Sequence, residues 1–202
     1  MHVLHVLDHS IPLQSGYTFR TLAIVKEQRA LGWHTTQVTG PKHNLGMPVL
    51  AIEQVDGLQF YRCQDAKGFL ANLPIIGQWS VIRVLTKRLI EVMRQARPDI
   101  IHAHSPALNG VAAIRAGRAL GLPVVYEVRG FWEDAAVSHG TSSEDGLRYR
   151  LTRAMETWVL KRANEVTCIC EGIRNDLIRR GIDPGKITIV PNAVDASRFQ
   201  PV

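Results

Sequence analysis

Short apolar or β-branched runs alternate with longer amphipathic stretches along this sequence, and that alternation limits the fold more than any other feature. Val3–Leu7, Thr35–Thr39, Ile100–His104, Val124–Val128, Glu165–Ile169 and Lys186–Val190 have the length and make-up of strands. Between them, helical periodicity runs over Tyr17–Leu31, about Trp79–Arg97, Pro106–Leu120, about Glu144–Ala163 and Glu171–Arg180. Gly32, Pro98, Gly121 and Gly181 stand where these helices should stop. The first helix is expected to turn Phe19, Leu22, Ala23 and Leu31 inward and Arg20, Lys26, Glu27 and Arg29 outward. The second should bury Val81, Ile82, Leu85, Leu89 and Val92. Residues 42–64 lack a helical period and suggest a strand pair, Val49–Ile52 and Leu58–Arg62, split at Asp56-Gly57. Residues 129–143 read as a loop. Strands alternating with helices predict a mostly parallel sheet covered on both faces, a Rossmann-like doubly wound α/β domain.

The chain has 202 residues. At roughly 150 residues per domain it holds one such domain and not two, and a core of this size needs no disulfide or metal. Hydrophobic residues at 46% and charged residues at 21% exclude disorder and a disulfide scaffold. Three cysteines (Cys63, Cys168, Cys170) make neither a disulfide framework nor a CxxC pair, which points to a reducing, cytoplasmic setting. Cys168 and Cys170 read as core. The opening residues are too polar for a secretory signal, and no run approaches the ~18 apolar residues of a membrane span. The net charge of +6 gathers in Arg83–Arg97 and at Arg148, Arg150, Arg153, Lys161 and Arg162. These helices offer either a contact for an anionic membrane surface or plain solvated faces. Nucleic acid is not an expected partner, because aromatics are not interleaved with the charge.

Doubly wound sheets bind ligands beyond the carboxyl ends of their strands, so the informative residues follow each strand. Asp8–Gly16 precedes a helix. Its free amides can attract a phosphate, with Gly16 allowing close approach, or Ser15 is an ordinary N-cap. It carries neither G-x-G-x-x-G nor a Walker lysine. His102 and His104 share one strand face. No third metal ligand is evident at a recognisable spacing, so one histidine reads as structural, and His104, nearer the carboxyl end, as the hydrogen-bond donor to a polar ligand. Arg129, Gly130, Phe131, Trp132 and Glu133 form a recognition mixture: an arginine for an anion, aromatics for a sugar face. Phe131 or Trp132 equally suits a core plug, and Glu133 with Asp134 a helix start. From these residues alone, a flavodoxin- or Rossmann-like nucleotide- or phosphate-binding module is an open alternative.

Four elements in order give the sequence a familiar cast: the opening strand into Ser15-Gly16, Pro98-Asp99-Ile100-Ile101-His102-Ala103-His104, Val124–Glu133, and Val190-Pro191-Asn192-Ala193-Val194-Asp195 with Phe199 and Pro201. Together they resemble the N-terminal domain of the family-four (group 1) retaining glycosyltransferases of GT-B architecture. His5–Ser10 with Gly16–Thr21 is similar to bacterial exopolysaccharide glycosyltransferases linked to exosortase systems. Ser15 and Ala193 stand where that family usually has glycine. The resemblance implies transfer of a sugar from a nucleotide-diphosphate sugar to a glycan or lipid-linked acceptor hydroxyl, with retention and without a cofactor or obligatory metal. It maps Ser15 and Gly16 to the loop beneath the donor phosphates and His104 to the transferred sugar. Arg129, Gly130, Trp132 and Glu133 fall to the acceptor and sugar wall. It makes residues 1–190 the acceptor-side domain and places Asn192 and Asp195 in a crossing, 191–202, toward a donor-binding domain outside this sequence. A cytoplasmic enzyme, peripheral on the inner face of the plasma membrane, is the expected setting.

Overall fold

The computed structural model describes residues 1–43, 50–63, 74–138, 140, 143 and 146–194, with 74–76 as backbone only. Among these residues, eight strands form one sheet in the order β3-β4-β2-β1-β5-β6-β7-β8. They are β1 (His2–Leu7), β2 (His34–Thr39), β3 (Ile52–Val55), β4 (Leu58–Arg62), β5 (Ile100–His104), β6 (Val124–Val128), β7 (Glu165–Cys168) and β8 (Ile187–Ile189). All neighbours are parallel except the β3–β4 hairpin at the edge. The strand order reverses between β1 and β5, which fixes the switch point where a sheet of this kind opens its binding crevice.

Among the described residues, six α-helices flank the sheet: α1 (Gly16–Ala30), α2 (Pro74–Ala96), α3 (Ala107–Leu120), α4 (Trp132–Ser138), α5 (Leu147–Arg162) and α6 (Glu171–Arg179). Helices α2, α3 and α5 pack side by side. Beneath them lies the main apolar core, which includes Leu85, Leu89, Ile101, Val111, Tyr126 and Leu160. Two glycines allow the close packing of α3. A Cβ on Gly110 would collide with Val159 and meet Tyr126 at 2.9 Å; one on Gly117 would meet the Leu122 carbonyl at 2.8 Å.

The opposite face differs from the sequence expectation. Helix α1 buries Thr18, Thr21 and Val25, while Phe19 and Leu31 are exposed, Ala23 is exposed and Leu22 is only partly covered. The reason lies in what the helix covers: its inner residues face a row of histidines and a carboxylate, so hydroxyls and an amide serve there better than leucines. Other elements shift in smaller ways. The hairpin's first strand is Ile52–Val55, not Val49–Ile52, and Val49 lies outside the described residues. Helix α2 starts at Pro74, five residues before Trp79, because proline suits a first helical turn. Residues 132–138, expected as loop, form α4, whose first-turn Glu133 and Asp134 complement the helix dipole. Helix α5 begins at Leu147, and Glu144 is outside the described residues. Cys168 is buried as expected, but Cys170 is exposed, because the strand ends before it.

Candidate functional site: a polar floor under the crevice

The crevice at the switch point is built from the β1–α1 loop, the β5–α3 turn and the β6–α4 turn. Ser15 caps α1, its hydroxyl accepting from the Thr18 amide at 3.1 Å. The same oxygen meets His9 Nε2 at 2.8 Å, and His9 Nδ1 lies 3.2 Å from Asp8. Gly16 opens the helix with nothing within 4 Å of the place a Cβ would take. Buried Arg62 anchors this loop from β4: Nη2 donates to the Ile11 carbonyl at 2.8 Å, Nη1 to the Ser10 hydroxyl, and Nε to Glu53 at 2.8 Å. The loop is therefore held from below while its Gly16 edge stays open.

Beneath the crevice, neighbouring strands line up His5 (β1), His102 and His104 (β5) and Glu127 (β6); His5 pairs in register with His102, and His104 with Glu127. Gln28 Oε1 is 2.8 Å from His5 Nε2, His5 Nδ1 is 3.0 Å from His104 Nε2, and His104 Nδ1 is 2.6 Å from Glu127 Oε2. Turning the Gln28 amide so that its NH2 faces His5 lets these three bonds form with neutral rings: Gln28 donates to His5, His5 to His104, and His104 to the carboxylate. The Glu127 carboxylate also receives two cations. Arg20 Nε donates to Oε1 at 2.8 Å, and Arg129 donates to Oε2 from Nε at 3.1 Å and Nη2 at 2.9 Å.

Burial lowers the His5 imidazole to about 3, with His102 adding to the effect. Burial, His102 and Arg129 together carry His104 well below the ordinary imidazole range. Burial acts to raise Glu127, but His104, Arg129 and His102 overcome it and hold the carboxyl well below the usual carboxylate range. The floor is thus three neutral imidazoles around one ionised carboxylate, itself flanked by two guanidinium groups.

The ring nitrogens of His5, His102 and His104 lie within 4.8 Å of one another, a donor set that suits a borderline divalent cation by type. The surroundings do not suit one. His5 and His104 are hydrogen-bonded to each other, and Arg129 Nη2 lies 2.5 Å from His104 Nδ1. A dication would join two guanidinium groups against a single carboxylate in a buried space.

Several expected site residues are placed differently from the sequence reading. His104 is 0% exposed, so it offers no atom to a sugar and instead carries Glu127. Arg129 folds inward rather than clamping an outside anion. Besides Glu127, its Nη1 donates to the Tyr17 carbonyl at 2.7 Å and to the Thr21 hydroxyl at 3.0 Å, and its guanidinium stacks 4.3 Å over the Tyr17 ring. It ties α1 to β6. Glu133 is buried against Arg180 at 2.7 Å, and Arg180 stacks on Phe131, which is the core plug. Trp132 is 42% exposed and Gly130 has open space above it. Arg20, expected to face outward, reaches Glu127 and the chain after β8. Asn192 is described and exposed, whereas Asp195, Phe199 and Pro201 lie outside the described residues. Sequence reasoning missed His5, Arg20 and Gln28. The signal for His5 was a histidine inside an otherwise apolar strand.

Beside the crevice, a cleft of about 430 Å³ opens at the carboxyl edge, lined by Lys42, Pro106, Leu108, Trp132, Arg148 and Met155 among others. Its apolar wall with a basic rim is the kind of surface that receives an organic ligand. A second hollow of about 450 Å³, at His2, Arg29, Trp33 and His34, sits at the amino ends of the strands, away from where such sheets bind. Among the described residues, no helix is long and apolar enough to cross a membrane.

The glycosyl transferase 4-like domain family matches residues 15–193. A GDP-mannose-dependent α-mannosyltransferase of Mycolicibacterium smegmatis is 32% identical over 139 residues, which is 66% of this chain and 34% of that protein. The UDP-Gal:α-D-GlcNAc-diphosphoundecaprenol α-1,3-galactosyltransferase of Escherichia coli is 28% identical over 115 residues, 56% of this chain and 28% of its own length. Among solved structures, sucrose-phosphate synthase of Thermosynechococcus elongatus superposes with a TM-score of 0.73 at 16% identity, covering 100% of this chain and 51% of that one. The chain thus spans about a third of the curated relatives and half of the solved one. Its fold is the Rossmann-like α/β fold of GT-B glycosyltransferases. With the family covering nearly the whole of the described sheet, the chain belongs to the glycosyl transferase 4-like domain family.

Proposed function

We propose that this chain is the acceptor-side domain of a retaining glycosyltransferase, which moves a sugar from a nucleotide-diphosphate sugar to an acceptor hydroxyl in exopolysaccharide or cell-surface glycan synthesis. The observation that carries this reading is the family match across residues 15–193, together with a crevice at the switch point whose lip, Ser15-Gly16, is unobstructed. The relatives' names supply the donor class, GDP-mannose in one and UDP-galactose in the other. Residues 1–190 form the acceptor side, and 191–202, with Asn192 and Asp195, begin the crossing to a donor-binding domain.

Departure of a nucleoside diphosphate needs donors aimed at its developing charge. The amides at the start of α1, beside Ser15 and Gly16, supply them from this side. His104, Glu127 and Arg129 act from behind, holding α1 and its loop at a fixed height. Gly130 and Trp132 form the wall on which the acceptor rests, continuous with the basic, apolar cleft. The relative that acts on a diphosphoundecaprenol-linked sugar makes a lipid-linked acceptor the matching chemistry for that cleft. The enzyme works without a cofactor or obligatory metal, on the cytoplasmic side, with α2 and α5 against an anionic membrane surface.

Gly16→Trp in the full-length protein tests the site. Because nothing lies within 4 Å of a Cβ at Gly16, a side chain can be added there without disturbing the core, and the melting temperature should hold. Transfer should fall roughly a hundredfold or more. Undiminished transfer by this variant would remove Gly16 from the donor loop. A micromolar response to NAD or FMN would instead favour a nucleotide-binding module without transferase activity.

A further inference from the structure

Arg20 uses all three guanidinium nitrogens, and most of what it grips lies at the far end of the domain. Nη2 donates to the Val190 carbonyl at 2.8 Å, and Nη1 donates to the Pro191 carbonyl and to Asn192 Oδ1, each at 3.0 Å. Nε donates to Glu127 Oε1 at 2.8 Å. The Arg20 side chain is 11% exposed and Glu127 only 1%, so the grip is anchored in the polar floor. Among the described residues, little else holds that segment. After the Val190 amide bonds the Cys168 carbonyl at 2.8 Å, residues 191–194 are exposed and outside regular structure. Among the described residues, the side-chain hydrogen bonds made to 190–192 come from Arg20.

A planar guanidinium meets several acceptors in fixed directions, whereas an ammonium acts as a point charge. One fork here joins α1, the Glu127 carboxylate of β6 and the residues leaving β8. We infer that Arg20 is a positioning residue that fixes the direction in which the chain leaves the domain after β8. Resting on the two-domain reading above, it thereby sets how the donor-side half meets the crevice. The fork also links the exit to the loop that would face the donor, because Arg20 stands on α1 one turn beyond Gly16.

Backbone 15N relaxation of the 202-residue chain reads this directly at the Val190, Asn192, Ala193 and Val194 amides. In the native chain Asn192 should show an order parameter near the ~0.85 of rigid backbone, and in both Arg20→Lys and Arg20→Ala it should drop below about 0.6. Arg20→Lys retains a charge for Glu127, so it separates loss of the fork from loss of the ion pair, and its melting temperature should stay near the parent's. If Asn192 remains ordered in both variants, or if lysine restores the order that alanine loses, the inference is overturned. In the full-length protein, Arg20→Lys should lower kcat/KM for transfer about tenfold while donor affinity in the absence of acceptor changes little. Parent-like transfer in that variant would contradict the coupling to the crevice. Absence of transfer in the parent would overturn the functional reading above and leave the relaxation result to decide the clasp.

Discussion

Glu127→Ala should be the most damaging single substitution in this domain, lowering its stability by about 3–5 kcal/mol. The carboxylate is 1% exposed and receives Arg20, Arg129 and His104 at once. Its removal leaves two largely buried guanidinium groups facing each other with no counter-charge, and strips His104 of its acceptor. For a domain of this size each kcal/mol moves the melting temperature by roughly 2–4 °C, so thermal denaturation should show a fall on the order of 10 °C. Glu127→Gln keeps the shape but removes the charge, and should fall between the two. An alanine variant melting within two degrees of the parent would mean that the polar floor does not hold α1 to the sheet.

The second large effect concerns pH and has two opposing parts. His5 has a folded-state pKa of about 3, below its ordinary 6.5, because burial keeps it neutral. A depressed histidine contributes stability that is complete above 6.5 and is lost as pH falls toward 3. By pH 5 the loss from His5 is about 2 kcal/mol at 1.36 kcal/mol per unit. His102 and His104 are lowered too, and burial and Arg62 lower His43 to about 4, so all four act in the same direction. Glu156 acts against them. Burial raises its carboxyl to about 7, although it accepts a 2.7 Å hydrogen bond from Tyr126. A carboxyl raised from 4.5 contributes stability that is complete below 4.5 and is lost as pH rises through 7, about 3 kcal/mol in all.

Four histidines outweigh one carboxyl, so urea titrations should show stability dropping between pH 6.5 and 5. Glu156→Gln removes the opposing part. It should be more stable than the parent by about 3 kcal/mol at pH 8 and equal to it near pH 4. A flat pH profile in the parent, or a variant no more stable at pH 8, would show that these groups do not carry the charge states assigned to them.

The sheet was readable from the sequence because its strands are buried on both sides, which leaves mainly apolar or β-branched runs such as Val124–Val128 and Val3–Leu7, broken at Glu127 and His5. Helix α2 was equally plain, since Ile82, Leu85, Leu89 and Val92 are all buried in the main apolar core. Helix α1 misled for the opposite reason. It packs on His5, His104 and Glu127, so its inward side chains include Thr18, Thr21 and Gln28 beside Val25, while Phe19 and Ala23 lie outside. No periodicity rule reveals a polar interface without knowing which strands are neighbours, and the β1–β5 pairing that brings His5 to His102 spans 97 positions. The same gap hid the role of Arg129. An arginine after a strand reads as an anion clamp until Glu127, two residues before it on β6, and Thr21 on α1 are seen to occupy its donors. The open lip at Gly16 and the exposed face of Trp132 were legible as candidates because loop position alone places them at the carboxyl edge.

Sugar transfer with retention, as proposed above, is tested by one measurement. The full-length protein is incubated with α-linked UDP- and GDP-sugars 13C-labelled at the anomeric carbon, together with a diphosphopolyprenol-linked sugar acceptor, and that carbon is followed by NMR. Retaining transfer should release one nucleoside diphosphate per new glycosidic bond, with the labelled carbon still in the α configuration. A β-linked product, or a donor consumed without any new bond to the acceptor, would contradict it.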